Sequence, residues 1–129
     1  MGTVAMLSET PNVRQIEGER RRRWFDDEDF DLIVWFGQFG RIDEFQLCYD
    51  KTSQEHAVIW KRGSGFSHYQ VDVGRGALGA KPILIPANDV ELDNVRVAEL
   101  FREQSNQIDP RIANFVYDKL VQYRMNQQP

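Results

Sequence analysis

Cysteine occurs once in the 129 residues, as Cys48. That excludes an intrachain disulfide and fits a reducing compartment. No apolar run approaches the roughly 18 residues that a membrane-spanning helix needs. Basic charge is in short supply: 16 lysines and arginines face 20 acidic residues, for a net charge of -4. This balance disfavours a nucleic-acid footprint and attraction to an anionic bilayer. The start, MGTVAMLSETPNVRQIEGERRRR, has no apolar stretch, and its charges follow the weakly apolar part, so it does not read as a signal peptide. The expected location is cytoplasmic. Metal-site spacings such as CxxC, HxH and HExxH are missing, as are a Walker loop and a Ser–His–Asp signature. Neither a metal nor a cofactor is expected.

What is present describes one globular domain. Hydrophobic residues make up 41% and aromatics 12%, enough for a packed core at this length. Residues 1–20 show no period and few large apolar groups, and are expected to form a flexible tail ahead of a single α+β domain over 21–125. Two opposed charge blocks, RRRR at 20–23 and DDED at 26–29, flank Trp24 and Phe25. They lie within one Debye length of each other and read as a solvated, self-paired segment. The acidic block lacks the glycine and closing glutamate of a calcium loop.

From Phe30 to Asp72 the segments FDLIVWF, RIDEFQLCYD, EHAVIWK and FSHYQVD are separated by GQFG, KTSQ and RGSG. Each break is a cluster of turn residues, which predicts successive hairpins. PILI between Pro82 and Pro86 reads as a short edge strand. Asp93 can cap a helix that carries Val97, Leu100 and Phe101. Asp109 and Pro110 can start a second with Ile112, Phe115, Val116, Leu120 and Tyr123 at helical spacing. The expected fold is therefore α+β: an antiparallel meander of four to five strands with two C-terminal helices packed on one face.

Turn length decides which side chains share a face. Four-residue loops set Phe45 opposite Leu32 and Trp60, and Tyr69 opposite Val58. Phe30, Leu32, Val34, Phe45, Leu47, Tyr49, His56, Val58, Trp60, Tyr69 and Val71 then gather under the helices. Ile33, Trp35, Ile42, Glu44, Gln46, Cys48, Ala57, Ile59, Phe66, His68, Gln70 and Asp72 face the other way. An uncovered face of that apolar content suggests a homodimer interface or a small-molecule ligand site.

Gly74, Gly76 and Gly79 have the G-x-G-x-x-G spacing of a dinucleotide turn. The following AKPILIP cannot begin the helix that would meet a pyrophosphate, so the glycines read as a connection between strands. Arg75 and Lys81 could still make it a small anion nest or a flap. The expected ligand-binding set is Gln46, Cys48, His68, Gln70, Asp72, Arg75 and Lys81. The favoured function is a small binding or interaction domain that uses the open face. The competing reading is a hydrolase-like enzyme in which His68 and Asp72 work with Cys48, against which stands the mid-strand position of the thiol.

The blocks WFDDEDFDLIVW, FQLCYD, GFSHYQVD and PIL resemble a group of small bacterial proteins of unknown function that share W-F-x-D…D-L-x-V-W, F-Q-L-C-Y-D, G-F-S-H-x-x-V-D and P-I-L. The resemblance spans about half the chain. It implies that Trp24, residues 45–50, residues 65–68 and Asp72 belong to a recurring pattern, and it implies no catalytic role.

Overall fold

A computed structural model describes residues 5–72, 83–86 and 92–123. Its elements are β1 (Ser8–Glu9), β2 (Arg21–Asp26), β3 (Asp31–Phe36), β4 (Ile42–Tyr49), β5 (His56–Lys61), β6 (Gly65–Asp72), β7 (Ile83–Pro86), α1 (Asn94–Gln104) and α2 (Pro110–Gln122). All the strands form one antiparallel sheet in chain order. The α+β class, the antiparallel meander and the two C-terminal helices match the sequence reading. The sheet has seven strands among the described residues, not four or five.

The two additional strands come from segments read as tail and charge block. Leu7 is fully buried, Ser8–Glu9 pairs with β2, and the Leu7 N–H donates to the Gln104 carbonyl at 2.8 Å. In β2 the alternation is real but carries one large core residue, Phe25. The arginines do not pair with the acidic block. Arg20 meets Glu44 at 2.7 Å, and Arg23 meets Glu9 at 2.7 Å and Asp109 at 3.2 Å. Arg22 donates to the Arg14 carbonyl. A strand whose outward positions are charged is stabilised by its ladder and by partners distant in sequence, so local periodicity underestimates it.

The helices begin where the caps predict. Asp93 accepts from the Arg96 N–H at 3.2 Å, and Asp109 accepts from the Arg111 N–H at 3.0 Å with Pro110 at the first helical position. Their apolar faces join Phe25, Leu32, Val34, Phe45, Leu47, Val58 and Trp60 in one core. Burial of this face is what holds two short helices in place, because neither is long enough to be stable alone. β7 is the last strand in the sheet order, and its Pro86 has no N–H to offer a further strand.

Two local features reset the face assignment. β4 contains a bulge: Trp35 pairs with Glu44 but Phe36 pairs with Ile42, so Asp43 is the extra residue. Ile42 therefore joins Phe36 and the core and does not belong to the open face. The β5–β6 hairpin has a three-residue loop, Arg62, Gly63 and Ser64, closed by the Lys61–Gly65 pair. Gly63 and Gly65 take positive φ angles of 88° and 82°, as in three-residue hairpins that close with a glycine in the left-handed region. An odd loop inverts every side chain of β6. Val58 consequently faces His68, and Trp60 faces Phe66. Phe66, His68 and Gln70 stand on the helix side, while Tyr69 and Val71 stand on the other, the reverse of the expected arrangement.

Candidate functional site

The predicted ligand set is not brought together. Gln46 and Cys48 share the face away from the helices, where the Gln46 amide lies 3.6 Å from Cys48 Sγ. His68 and exposed Gln70 project from the opposite side of the sheet. Asp72 is placed by its backbone at the end of β6, paired with Ile83. Arg75, Lys81 and the glycine-rich segment lie outside the described residues. Cys48 and His68 are therefore separated by the thickness of the sheet, and no Cys–His couple forms between them.

Cys48 is buried in a small cluster with Ala57 and Val71, with Leu84 against it. Burial pushes its thiol up from 9.0 to about 11. A raised pKa means little thiolate at neutral pH, so Cys48 should react with iodoacetamide at least about tenfold more slowly than a free thiol. Burial also raises the phenol of its neighbour Tyr49. Both acids ionise more readily unfolded than folded. Their contribution to stability is full below the unfolded values and is lost as the pH rises through the folded ones. Urea midpoints should fall from about pH 9 toward 11, and Cys48→Ala should make that fall shallower.

The inverted β6 creates a different cluster on the helix side. Tyr49, His56 and His68 stack, with ring centroids 5.3 to 5.9 Å apart. The Tyr49 hydroxyl hydrogen-bonds His68 Nε2 at 2.5 Å. His56 is buried, and its Nδ1 lies 2.9 Å from the Gln54 carbonyl, which fixes the N–H on Nδ1. A cavity of about 400 Å³ opens beside it, lined by Tyr49, Asp50, Gln54, His56, Asp93 and Arg96. Arg96 closes one wall through two bonds to Asp50, at 3.0 and 3.3 Å. The sequence reading anticipated Tyr49 beside His56 but missed His68, because its parity was reversed.

The face away from the helices reads in rows across the strands. One row is Arg22, Trp35, Glu44 and Lys61. The next is Trp24, Ile33, Gln46, Ile59 and Ser67. The third is Asp26, Asp31, Cys48, Ala57 and Tyr69. Trp24, Ile33, Trp35 and Tyr69 are half-buried. Among the described residues, both helices pack on the other side of the sheet.

Among the described residues no helix is long and apolar enough to cross a membrane, and no group of His, Cys, Asp and Glu is arranged to hold a metal ion. Compared with known protein families, curated proteins and solved structures, the chain matches none, and what its surfaces do has to be read from its own residues.

Proposed function

We propose that the chain is a small interaction domain and that its recognition surface, the sheet face bearing Trp24, Ile33 and Trp35, receives a second copy of itself. The observation that carries this reading is the row order. A middle row whose large residues are Trp24, Ile33 and Ile59, with Gln46 and Ser67 between and beyond them, separates a row with Arg22 and Lys61, whose Glu44 is paired to Arg20, from a row with Asp26 and Asp31, the latter paired to Lys51. A two-fold axis along the middle row lays that row on its own copy and Arg22 over Asp26 of the second molecule. Two sheets packed face to face in this way bury their apolar inner residues together. Among the described residues neither charge has an ionic partner: Arg22 is bonded to a neutral carbonyl, and Asp26 accepts from the Thr10 hydroxyl, at 3.3 Å. Trp is also the residue type most enriched among interface anchors.

Sedimentation equilibrium tests it. A concentration-dependent dimer is expected, and Ile33→Asp should weaken it by about 100-fold or more, since an unpaired carboxylate would be buried at its centre. Arg22→Asp and Asp26→Arg should each weaken the dimer, and the two reversals together should restore it. A monomer at millimolar concentration, or a dimer indifferent to these changes, would exclude the reading.

A further inference from the structure

At the far end of the sheet, the turn between β3 and β4 holds Phe39 in a position that folding alone does not explain. Its φ is 58° and its ψ is 24°, in the left-handed region, and its side chain is fully exposed. A bulky residue there is strained, and its fully exposed ring gains no packing in return. The turn is set by the backbone: the Gly37 N–H donates to the Arg41 carbonyl at 2.8 Å, and the Arg41 N–H to the Gln38 carbonyl at 3.2 Å. Phe39 is thereby projected beside a cavity of about 450 Å³ whose walls include Arg21, Arg23, Arg111 and Asp109, with Phe36 and Ile112 supplying apolar surface.

The charges in that cavity do not cancel. Asp109 Oδ2 is shared by Arg23 at 3.2 Å and Arg111 at 3.1 Å, while Oδ1 caps α2. Its carboxyl is held down to about 2 by the Arg111 guanidinium and backbone N–H, with Arg23 adding to the effect, so it remains anionic. Arg23 has a second carboxylate in Glu9. Arg21 makes no ion pair or side-chain hydrogen bond among the described residues, although it occupies the same wall. A guanidinium with open donors presents a planar fork that fits an oxyanion, and an aromatic ring lining the same cavity offers a flat apolar shelf.

We infer that this cavity is a binding site for an organic anion with a carboxylate or phosphate headgroup on a flat apolar body. The headgroup is held by Arg21 with Arg111, and the body lies against Phe39 and Phe36. Arg21 and Arg23 face the helix side of β2, opposite Arg22 and Trp24. The site is therefore independent of the self-association surface, and either can fail without the other.

Isothermal titration of the full chain tests it with four probes: 1-naphthyl phosphate, 1-naphthoate, uncharged 1-naphthol and inorganic phosphate. At least one of the naphthyl anions should bind and the two controls should bind at least tenfold more weakly. The preferred anion identifies the headgroup. Arg21→Gln should weaken binding by about tenfold and Phe39→Ala by about fivefold. Both side chains are exposed, so thermal midpoints should not fall, which separates a lost contact from a lost fold. Absence of binding by both anions at 10 mM probe (a limit of roughly 3 kcal/mol of affinity) would overturn the inference. So would equal binding of naphthol or of bare phosphate, or affinities untouched by both substitutions.

Discussion

Phe101→Ala is expected to lower the stability of the domain by about 3–5 kcal/mol, with the urea midpoint falling and the denaturant slope unchanged. Phe101 is fully buried, and its ring meets Phe30 edge-on with centroids 5.8 Å apart. One turn further along α1, the Gln104 side chain donates to Asp27 at 2.7 Å, and its carbonyl receives the Leu7 N–H. The ring thus sits where α1, the β2–β3 turn and the N-terminal segment converge. Truncation removes dispersion contacts on every side of a site whose backbone is tied by these bonds, so collapse into the cavity is limited. A total stability of about 5–15 kcal/mol is usual for a domain of this kind, and the loss would be a large part of it. Val95→Ala, at an exposed position of the same helix, should stay within about 0.5 kcal/mol. Similar effects for the two variants would show that α1 does not face the sheet as described.

A second large effect should separate two of the three tryptophans, Trp60 and Trp35, which stand on opposite faces of the sheet. Trp60 is buried, stacked on Phe45 at 6.1 Å and met edge-on by Phe115 of α2 at 5.2 Å. The Lys119 ammonium lies 4.8 Å from the ring centroid. Trp60→Ala should cost about 3–5 kcal/mol and loosen α2, removing a blue-shifted emission component. Trp35→Ala, on the face away from the helices, should cost about 1 kcal/mol in the monomer but weaken self-association about tenfold or more. The comparison is made by chemical denaturation at low protein concentration, with sedimentation alongside. If Trp35 proved as costly to the monomer as Trp60, the sheet would have to be covered on both sides, and the proposed recognition surface would not exist.

Legibility varied along the chain for identifiable reasons. The helix starts were readable because a cap is a local device: Asp93 and Asp109 bond N–H groups only two or three residues away. The core strands were readable because β3, β4 and β5 are runs of β-branched, aromatic and aliphatic residues bounded by turn clusters, although only β3 alternates strictly in burial and β5 is buried at five consecutive positions. β1 and β2 were not, since one has two exposed residues and the other four charged ones, and both depend on a neighbour for their ladder. Pairings in β4–β5 came out as expected, with Phe45 opposite Trp60 and Tyr49 opposite His56. The candidate site failed at a single count. RGSG reads as a four-residue loop, whereas Gly65 enters the ladder and leaves three. That one residue moved His68 away from Cys48 and set it against Tyr49 and His56.

The amino-acid sequence by itself determined the class of the fold, the helix starts, the order of the hairpins and the apolar identity of the central strands, because each follows from short-range propensities and from burial that only a few residues need to satisfy. Tertiary structure decided the number of strands, the bulge at Asp43, the orientation of β6 and the meeting of Arg21, Arg111 and Phe39 around one cavity. Those depend on backbone pairing between distant segments, where a shift of one residue exchanges the two faces of a strand at almost no local cost.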